Sequence, residues 1–339
     1  MDARFPGLLA SMLLSDGRTL GLIGGVIVFL AVATGVLQVL RRRPDSPLDP
    51  ALLERFRLRL RGWWILCAVL AGAFLIPGTA VTVILFGFLS FWGLREFITL
   101  TPTRPGDHRA LFWVFVLCTP AQYVLVGMGL YDYFSVLIPV YAFLLIPARI
   151  AMSGDSKRFL ERIAKIQAGL LICVYCLSYA PALLTTWQGA LKLGEDATPN
   201  ARLLFFFILM VQVSDALQYA WAQLPSKHVI VPTISPAKTW EGLLGGTASV
   251  TLLGAVLWWA TPFSFLLAAG MSAVIALMGF AGGLTMSAIK RDRGVKDYGT
   301  LVEGHGGVLD RIDSLCFAAP VFFHFTLLYL RLYPIGVEG

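Results

Sequence analysis

Acidic and basic side chains concentrate in one stretch of this sequence, from Ser287 to Asp313. Ten of its 27 residues are charged, against 14% of the whole chain. Lysine and arginine side chains can hold phosphate oxygens, and a guanidinium offers a planar pair of donors. Aspartates are the hard oxygen ligands that Mg²⁺ accepts alongside substrate phosphates. The residue types therefore indicate phosphate chemistry, with a solvated basic loop beside a membrane as the alternative.

The candidate residues of this stretch are polar side chains and glycines. They are Ser287, Lys290, Arg291, Lys296, Asp297, His305, Gly306, Gly307, Asp310, Arg311 and Asp313. Asp310 and Asp313 are three residues apart, so a helix would place both carboxylates on one face. The glycines let the backbone approach a ligand closely. His305, between two glycines, is a candidate for orienting a carboxylate or a phosphate.

Long apolar runs flank the charged stretch and fill most of the chain. Of the 339 residues, 57% are hydrophobic, a content typical of membrane-spanning proteins and not of soluble globular ones. About ten transmembrane helices are predicted, at 21–40, 63–76, 80–98, 110–126, 131–147, 166–186, 203–224, 243–260, 263–289 and 315–332. The expected fold is an all-α polytopic membrane protein with its charged loops on the cytoplasmic face.

The basic residues are distributed unevenly between alternate loops. If the N-terminus lies outside, the loops at 41–62, 95–109, 148–165, 223–242 and 290–313 face the cytoplasm and hold 22 of the 27 lysines and arginines. This asymmetry is what the positive-inside rule expects. The net charge of +7 therefore reports topology, and we expect no nucleic-acid partner.

The charged stretch resembles the signature of the phosphatidate cytidylyltransferases, or CDP-diacylglycerol synthases. That signature begins Ser-x-apolar-Lys-Arg, continues after four residues with Lys-Asp, and ends His-Gly-Gly-apolar-x-Asp-Arg-apolar-Asp. All the candidate residues of the stretch match it at the right spacing, with small departures at Val302 and Glu303.

A second polar cluster follows an apolar run that contains Asp215. Ser235, Lys238 and Thr239 resemble the family's Ser-Pro-x-Lys-Thr motif, and Asp215 with Tyr219 resembles its Ala-Asp-x-x-Ala-Tyr segment. We expect the motif at 235–239 to bind phosphates; the alternative is that it only begins a helix. A carboxylate inside an apolar span is a functional candidate because its burial is costly.

Position 283 departs from the family pattern. Where members carry Gly-Asp-Leu, with the aspartate as a metal ligand, this chain has Gly282, Gly283 and Leu284. Half of the expected carboxylate pair is therefore missing. Leu217 and Gln218 also replace residues that are usually small.

The resemblance implies transfer of a cytidylyl group from CTP to phosphatidate, giving CDP-diacylglycerol and pyrophosphate in phospholipid biosynthesis. Mg²⁺ is the implied cofactor, held by Asp310 with Asp313, Asp297 or Asp215 assisting. The cations expected to neutralise phosphates are Lys238, Lys290, Arg291, Lys296 and Arg311. Two alternatives stay open: a cytidylyltransferase for a different lipid phosphate, and a non-catalytic lipid-binding or transport protein on the same scaffold.

The predicted organisation has three parts. An N-terminal helix and basic linker occupy 1–62, a helical membrane region occupies 63–200, and the catalytic membrane region occupies 201–339. The expected location is a cell membrane, the bacterial inner membrane, with membrane lipids as surroundings and a homodimer left open. The Cys173 and Cys176 pair is expected to be two ordinary buried thiols and not a redox or zinc motif.

Overall fold

The computed structural model describes residues 17–42, 79–100, 103–186, 198–224, 228–299 and 306–333, together with scattered positions between 53 and 72. The chain forms two compact units, Met1–Thr82 and Val83–Gly339. Helix α1 of the first unit spans Gly17–Arg42 and ends in two arginines. The predicted three-part division stays a prediction.

Among the continuously described ranges, eight further helices follow α1. They are α2 (Ala80–Thr99), α3 (Pro105–Gly127), α4 (Tyr131–Ala151), α5 (Phe159–Thr185), α6 (Thr198–Trp221), α7 (Trp240–Val256), α8 (Phe265–Asp292) and α9 (Leu309–Leu332). A short 3₁₀ turn, Trp258–Ala260, connects α7 to α8.

Within the described ranges, eight helices are long and apolar enough to cross a membrane: α1 to α6, α8 and α9. The prediction of an all-α polytopic membrane protein is therefore confirmed. Helix α7 has 17 residues, about 26 Å at ~1.5 Å per residue against a hydrocarbon core of about 30 Å, so the span predicted at 243–260 stays a prediction. The span predicted at 63–76 lies largely outside the described residues, so the total count stays a prediction.

Three of the spanning helices contain a π-helical turn. These turns are Val114–Cys118 in α3, Leu137–Ala142 in α4 and Leu170–Cys176 in α5. The Thr119 hydroxyl donates to the carbonyl of Val114, at 2.9 Å, across the first turn. Pro139 lies inside the second, where its missing N–H disrupts the regular hydrogen-bond ladder. Cys173 and Cys176 in the third are free thiols, of which Cys173 is buried and Cys176 is partly exposed.

The four C-terminal helices pack closely because small residues lie at their contacts. A Cβ atom placed on Gly246 of α7 would lie 2.8 Å from the Gln218 Cα in α6, and one on Gly282 of α8 would lie 2.9 Å from the Asp313 carbonyl oxygen in α9. The buried Gln218 amide also donates to the Ala276 carbonyl in α8, at 3.1 Å. The larger residue at 218 thus ties α6 to α8.

A β hairpin lies between α6 and α7. Strand β1 (Val229–Val231) pairs antiparallel with β2 (Ser235–Thr239), with Val229 opposite Thr239 and Val231 opposite Ser235. The second polar cluster of the sequence is therefore a strand that leads directly into α7.

A buried ion pair fastens the start of α3 to the start of α5. The Arg162 Nε atom donates to Asp107 Oδ1 at 2.9 Å, and both side chains are almost fully buried. The same guanidinium donates to the backbone carbonyls of Asp155 and Lys157, at 2.8 and 3.1 Å. These contacts fix the loop between α4 and α5.

Candidate active site

The Asp310 carboxylate closes the loop between α8 and α9 from three directions. Its Oδ1 atom accepts a hydrogen bond from Lys290 Nζ at 2.7 Å, and its Oδ2 atom accepts from the backbone N–H groups of Tyr298 and Gly307 at 2.8 and 2.9 Å. Bonds to an ionised acceptor are the stronger kind. Residues 300–305 lie outside the described residues. The parts of the loop on either side of them are thereby held to the first turn of α9.

Tyr298 anchors the first half of this loop. Its hydroxyl donates to the Met286 carbonyl at 3.0 Å, and its ring lies 5.4 Å from Lys290 Nζ and stacks on Phe97. Burial raises the pKa of the Tyr298 phenol above its usual range, so the group stays a neutral donor.

Glu96 of α2 supplies the N-terminal cap of α9. Its carboxylate accepts hydrogen bonds from the backbone N–H groups of Val308 at 3.0 Å and Leu309 at 2.8 Å, and only 5% of the residue is exposed. A side chain at Gly307 would overlap this carboxylate. Sequence reasoning missed Glu96, because the only signal is an acid beside Arg95 at the end of an apolar run, 212 residues before Val308.

A second group of carboxylates lies one turn further along α9. The Ser314 hydroxyl donates to Asp215 Oδ1 at 3.0 Å, and its backbone N–H donates to Asp313 Oδ1 at 2.7 Å. Ser314 thus joins an acid of α6 to an acid of α9. Asp310 and Asp313 both lie in the first turns of α9, as their spacing predicts. No group of three or more His, Cys, Asp and Glu able to hold a metal by itself occurs among the described residues.

The Lys238 ammonium enters this second group from β2. Its Nζ atom donates to the Phe280 carbonyl at 3.1 Å and lies 4.3 Å from the centre of the Phe280 ring. Burial lowers the pKa of the Lys238 ammonium, while the negative charges of Asp215 and Asp313 oppose that shift. The hairpin thus delivers a half-buried cation beside two half-buried acids.

Residues 57–329 match the sequence profile of the Cytidylyltransferase family. The chain belongs to the cytidylyltransferase family. It is 36% identical over 274 residues to Uncharacterized protein YnbB of Escherichia coli, covering 79% of this chain and 86% of the relative. It is 31% identical over 295 residues to Phosphatidate cytidylyltransferase 4, chloroplastic, of Arabidopsis thaliana, covering 79% and 71%. Phosphatidate cytidylyltransferase of Pseudomonas aeruginosa is 39% identical over 143 residues, covering 41% and 52%.

In this membrane cytidylyltransferase, two other residues of the signature make hydrogen bonds to the hairpin and within α8. The Arg291 Nε atom donates to the Ile234 carbonyl at 3.2 Å, beside Ser235 at the start of β2. The Ser287 hydroxyl donates to the Gly283 carbonyl at 2.6 Å.

Thr239 is buried and is the N-cap of α7, since its hydroxyl accepts from the Gly242 N–H at 3.0 Å. Thr239 therefore begins a helix, which is the alternative that the sequence left open for this motif. Phosphate binding by Thr239, Ser235 and Ser287 stays a prediction.

The remaining candidates lie at the edge of the site. Lys296, Asp297 and Arg311 are exposed, and His305 lies outside the described residues. Gly306 has a positive φ of 78°, and a Cβ atom there would lie 2.7 Å from Asp310 Oδ2 and 3.3 Å from the Asp297 Cβ. Glycine at 306 is therefore required by both conformation and space.

Proposed function

We propose that this cytidylyltransferase transfers the cytidylyl group of CTP to phosphatidate, giving CDP-diacylglycerol and pyrophosphate in phospholipid biosynthesis. The observation that carries the proposal is two largely buried ammonium groups, Lys238 and Lys290, beside Asp313 and Asp310 at one end of apolar helices. Charges at a membrane protein's core are costly and mark functional sites. The names of the relatives in Arabidopsis and Pseudomonas support the same reaction.

In the proposed reaction an oxygen of the lipid phosphate attacks the α-phosphorus of CTP. The bond from that phosphorus to the oxygen bridging to the β-phosphorus breaks, and pyrophosphate leaves with the electron pair. The residues proposed to neutralise the phosphates are Lys238, Lys290, Arg291, Lys296 and Arg311. Such chemistry depends on positioning and charge more than on covalent catalysis. The loop fixed by Asp310 and Glu96 supplies that positioning, and His305 is proposed to orient a phosphate or a carboxylate.

Mg²⁺ is the proposed cofactor, with Asp310 as its protein ligand, because a carboxylate fits a hard cation. The assisting ligands predicted from the sequence, Asp313, Asp215 and Asp297, form no group of three with it that could hold a metal among the described residues. Asp310 already accepts three hydrogen bonds, which leaves few of its acceptor positions for a metal. Water and phosphate oxygens would therefore fill most of the coordination shell. When bound, Mg²⁺ would neutralise charge on the phosphates and on the leaving pyrophosphate.

The proposal extends to the orientation of the chain. The N-terminus lies outside and the charged loops lie in the cytoplasm of a bacterial inner membrane, where CTP is available and the acyl chains stay between helices. The support is the 22 basic residues in the predicted cytoplasmic loops. Assembly as a homodimer is a further part of the proposal, tested by cross-linking in native membranes.

The purified full-length chain in detergent, given labelled CTP, Mg²⁺ and phosphatidate, should form a labelled CDP-lipid and an equal amount of pyrophosphate. Reactions that omit the lipid control for simple CTP hydrolysis. Other lipid phosphates in place of phosphatidate test the first alternative substrate class. Consumption of no CTP with any lipid phosphate would refute the proposal and favour the non-catalytic lipid-binding alternative.

A further inference from the structure

Gly283 leaves open a space that the Lys238 ammonium occupies. A Cβ atom placed on Gly283 would lie 2.8 Å from Lys238 Nζ and 3.8 Å from Asp313 Oδ2. The ammonium is held from one side by the Phe280 carbonyl, at 3.1 Å, and by the face of the Phe280 ring. A Cβ atom at 283 would require the tip of the flexible Lys238 side chain to shift.

The charges around this space come from three helices. Asp215 on α6 and Asp313 on α9 both interact with the Lys238 ammonium, and Ser314 joins the two carboxylates by its hydroxyl and backbone N–H. Lys290 on α8 is the other cation that acts on Lys238, and it is paired with Asp310. The ammonium therefore places a positive charge beside two half-buried carboxylates.

We propose that Lys238 is a built-in cation for the nucleotide phosphates, and that Gly283 is the residue that determines this by leaving room for it. A phosphate chain can then bind at the second carboxylate group through a fixed ammonium, without a metal ion at that position. The inference rests on the proposed function, because it assigns the same site to a nucleoside triphosphate. Mg²⁺, where used, belongs with Asp310 and the phosphates instead.

The proposal predicts weaker nucleotide binding for one variant and tighter metal binding for a second. Lys238→Met removes the charge, so CTP binding in EDTA should weaken on the order of tenfold or more. The double variant Gly283→Asp/Lys238→Met places a third carboxylate beside Asp215 and Asp313 and removes the ammonium. Three carboxylates are a ligand set for a divalent cation, so Mn²⁺ binding without nucleotide should tighten about tenfold or more over wild type.

The experiment measures two equilibria on the detergent-purified full chain. Equilibrium dialysis gives labelled CTP binding in EDTA and in Mg²⁺, and electron paramagnetic resonance gives free Mn²⁺ without nucleotide. Lys157→Met, an exposed lysine in the loop between α4 and α5, is the matched control and should bind CTP as wild type does.

Gly283→Ala keeps Lys238 and adds only a methyl group against the tip of a flexible side chain, so it should fold and show an intermediate loss of CTP binding in EDTA.

Unchanged CTP binding in EDTA by Lys238→Met, or Mn²⁺ binding by the double variant no tighter than wild type, overturns the inference. If wild type still forms CDP-lipid in that case, the proposed function stands. No CTP binding by wild type in either buffer overturns both.

Discussion

The Asp310 carboxylate accepts three hydrogen bonds, one through Oδ1 and two through Oδ2, and its negative charge strengthens all three. Asp310→Asn keeps the shape, removes the charge and replaces one acceptor by a donor that opposes the N–H groups of Tyr298 and Gly307. We expect turnover to fall about a hundredfold or more, and Asp310→Ala to abolish it. Initial rates of CDP-lipid formation measure the effect.

Asp292→Asn is the matched control for Asp310, because that aspartate is exposed and pairs with its neighbour Arg293. It should keep wild-type turnover. Wild-type turnover and Mg²⁺ dependence in Asp310→Asn would instead mean that Asp310 neither binds metal nor organises the loop.

Arg311 lies exposed in the first turn of α9, next to Asp310. Loss of a charge-assisted contact to phosphate should cost Arg311→Ala about a hundredfold in turnover, with little effect on folding. Arg293→Ala, in the same loop, is the control and should be nearly silent. Equal rates for the two variants would remove Arg311 from the site.

The sequence predicts residue types and local geometry at this site better than it predicts contacts. The three-residue spacing of Asp310 and Asp313 places both in the first turns of one helix, and the structure agrees. The missing acid at Gly283 is equally visible in the sequence. That Lys238 occupies the vacated space is not, because it depends on how a hairpin and α8 approach each other.

Helix α9 begins at a cap supplied by another helix, since Glu96 of α2 accepts from Val308 and Leu309. Glu96→Ala leaves two buried N–H groups without an acceptor, which should lower the free energy of unfolding by about 1–3 kcal/mol. Because the cap positions the loop, kcat should fall more than KM rises. Glu96→Gln keeps one acceptor oxygen and should restore part of both.

Glu161→Ala is the control for Glu96, because Glu161 pairs with Lys165 on the exposed side of α5. Thermal unfolding in detergent and steady-state kinetics give the two readouts. An alanine variant at 96 with wild-type stability and kinetics would show that α9 does not need this cap.

The buried Arg162 and Asp107 pair connects α3 to α5. Arg162→Met leaves an uncompensated buried carboxylate, so stability should fall by roughly 3–5 kcal/mol. Adding Asp107→Asn should recover much of that loss. Arg158→Met, whose side chain is 76% exposed, is the control in denaturation measurements. No difference between Arg162→Met and Arg158→Met would mean that the pair does not contribute.

Connections between distant helices are the part of the architecture that the sequence does not reveal. Glu96 and Leu309 are 213 residues apart, and no periodicity relates them. The hairpin is also absent from the predictions, because a three-residue strand such as Val229–Val231 is too short for an alternating pattern.

The membrane architecture as a whole follows from apolar run lengths, which is why the all-α polytopic class is predictable. Orientation rests on charge alone, so it needs its own measurement. In a cysteine-free background, Asp196→Cys should react with an impermeant maleimide added to intact cells, and Asp292→Cys should react only after lysis. The reverse pattern would invert the topology, and lysed cells control for intrinsic reactivity.

The π-helical turns in α3, α4 and α5 have a consequence for how these helices change over evolution. Such a turn holds one residue more than a regular α-helical turn, so the side chains beyond it are rotated by about 100° relative to those before it. A single-residue insertion produces that offset without shifting the helix ends, and a single deletion reverses it. Faces drawn across Leu170–Cys176 on a regular helical wheel will therefore disagree between its two halves. An alignment of relatives should show its one-residue gaps inside these turns rather than in the loops.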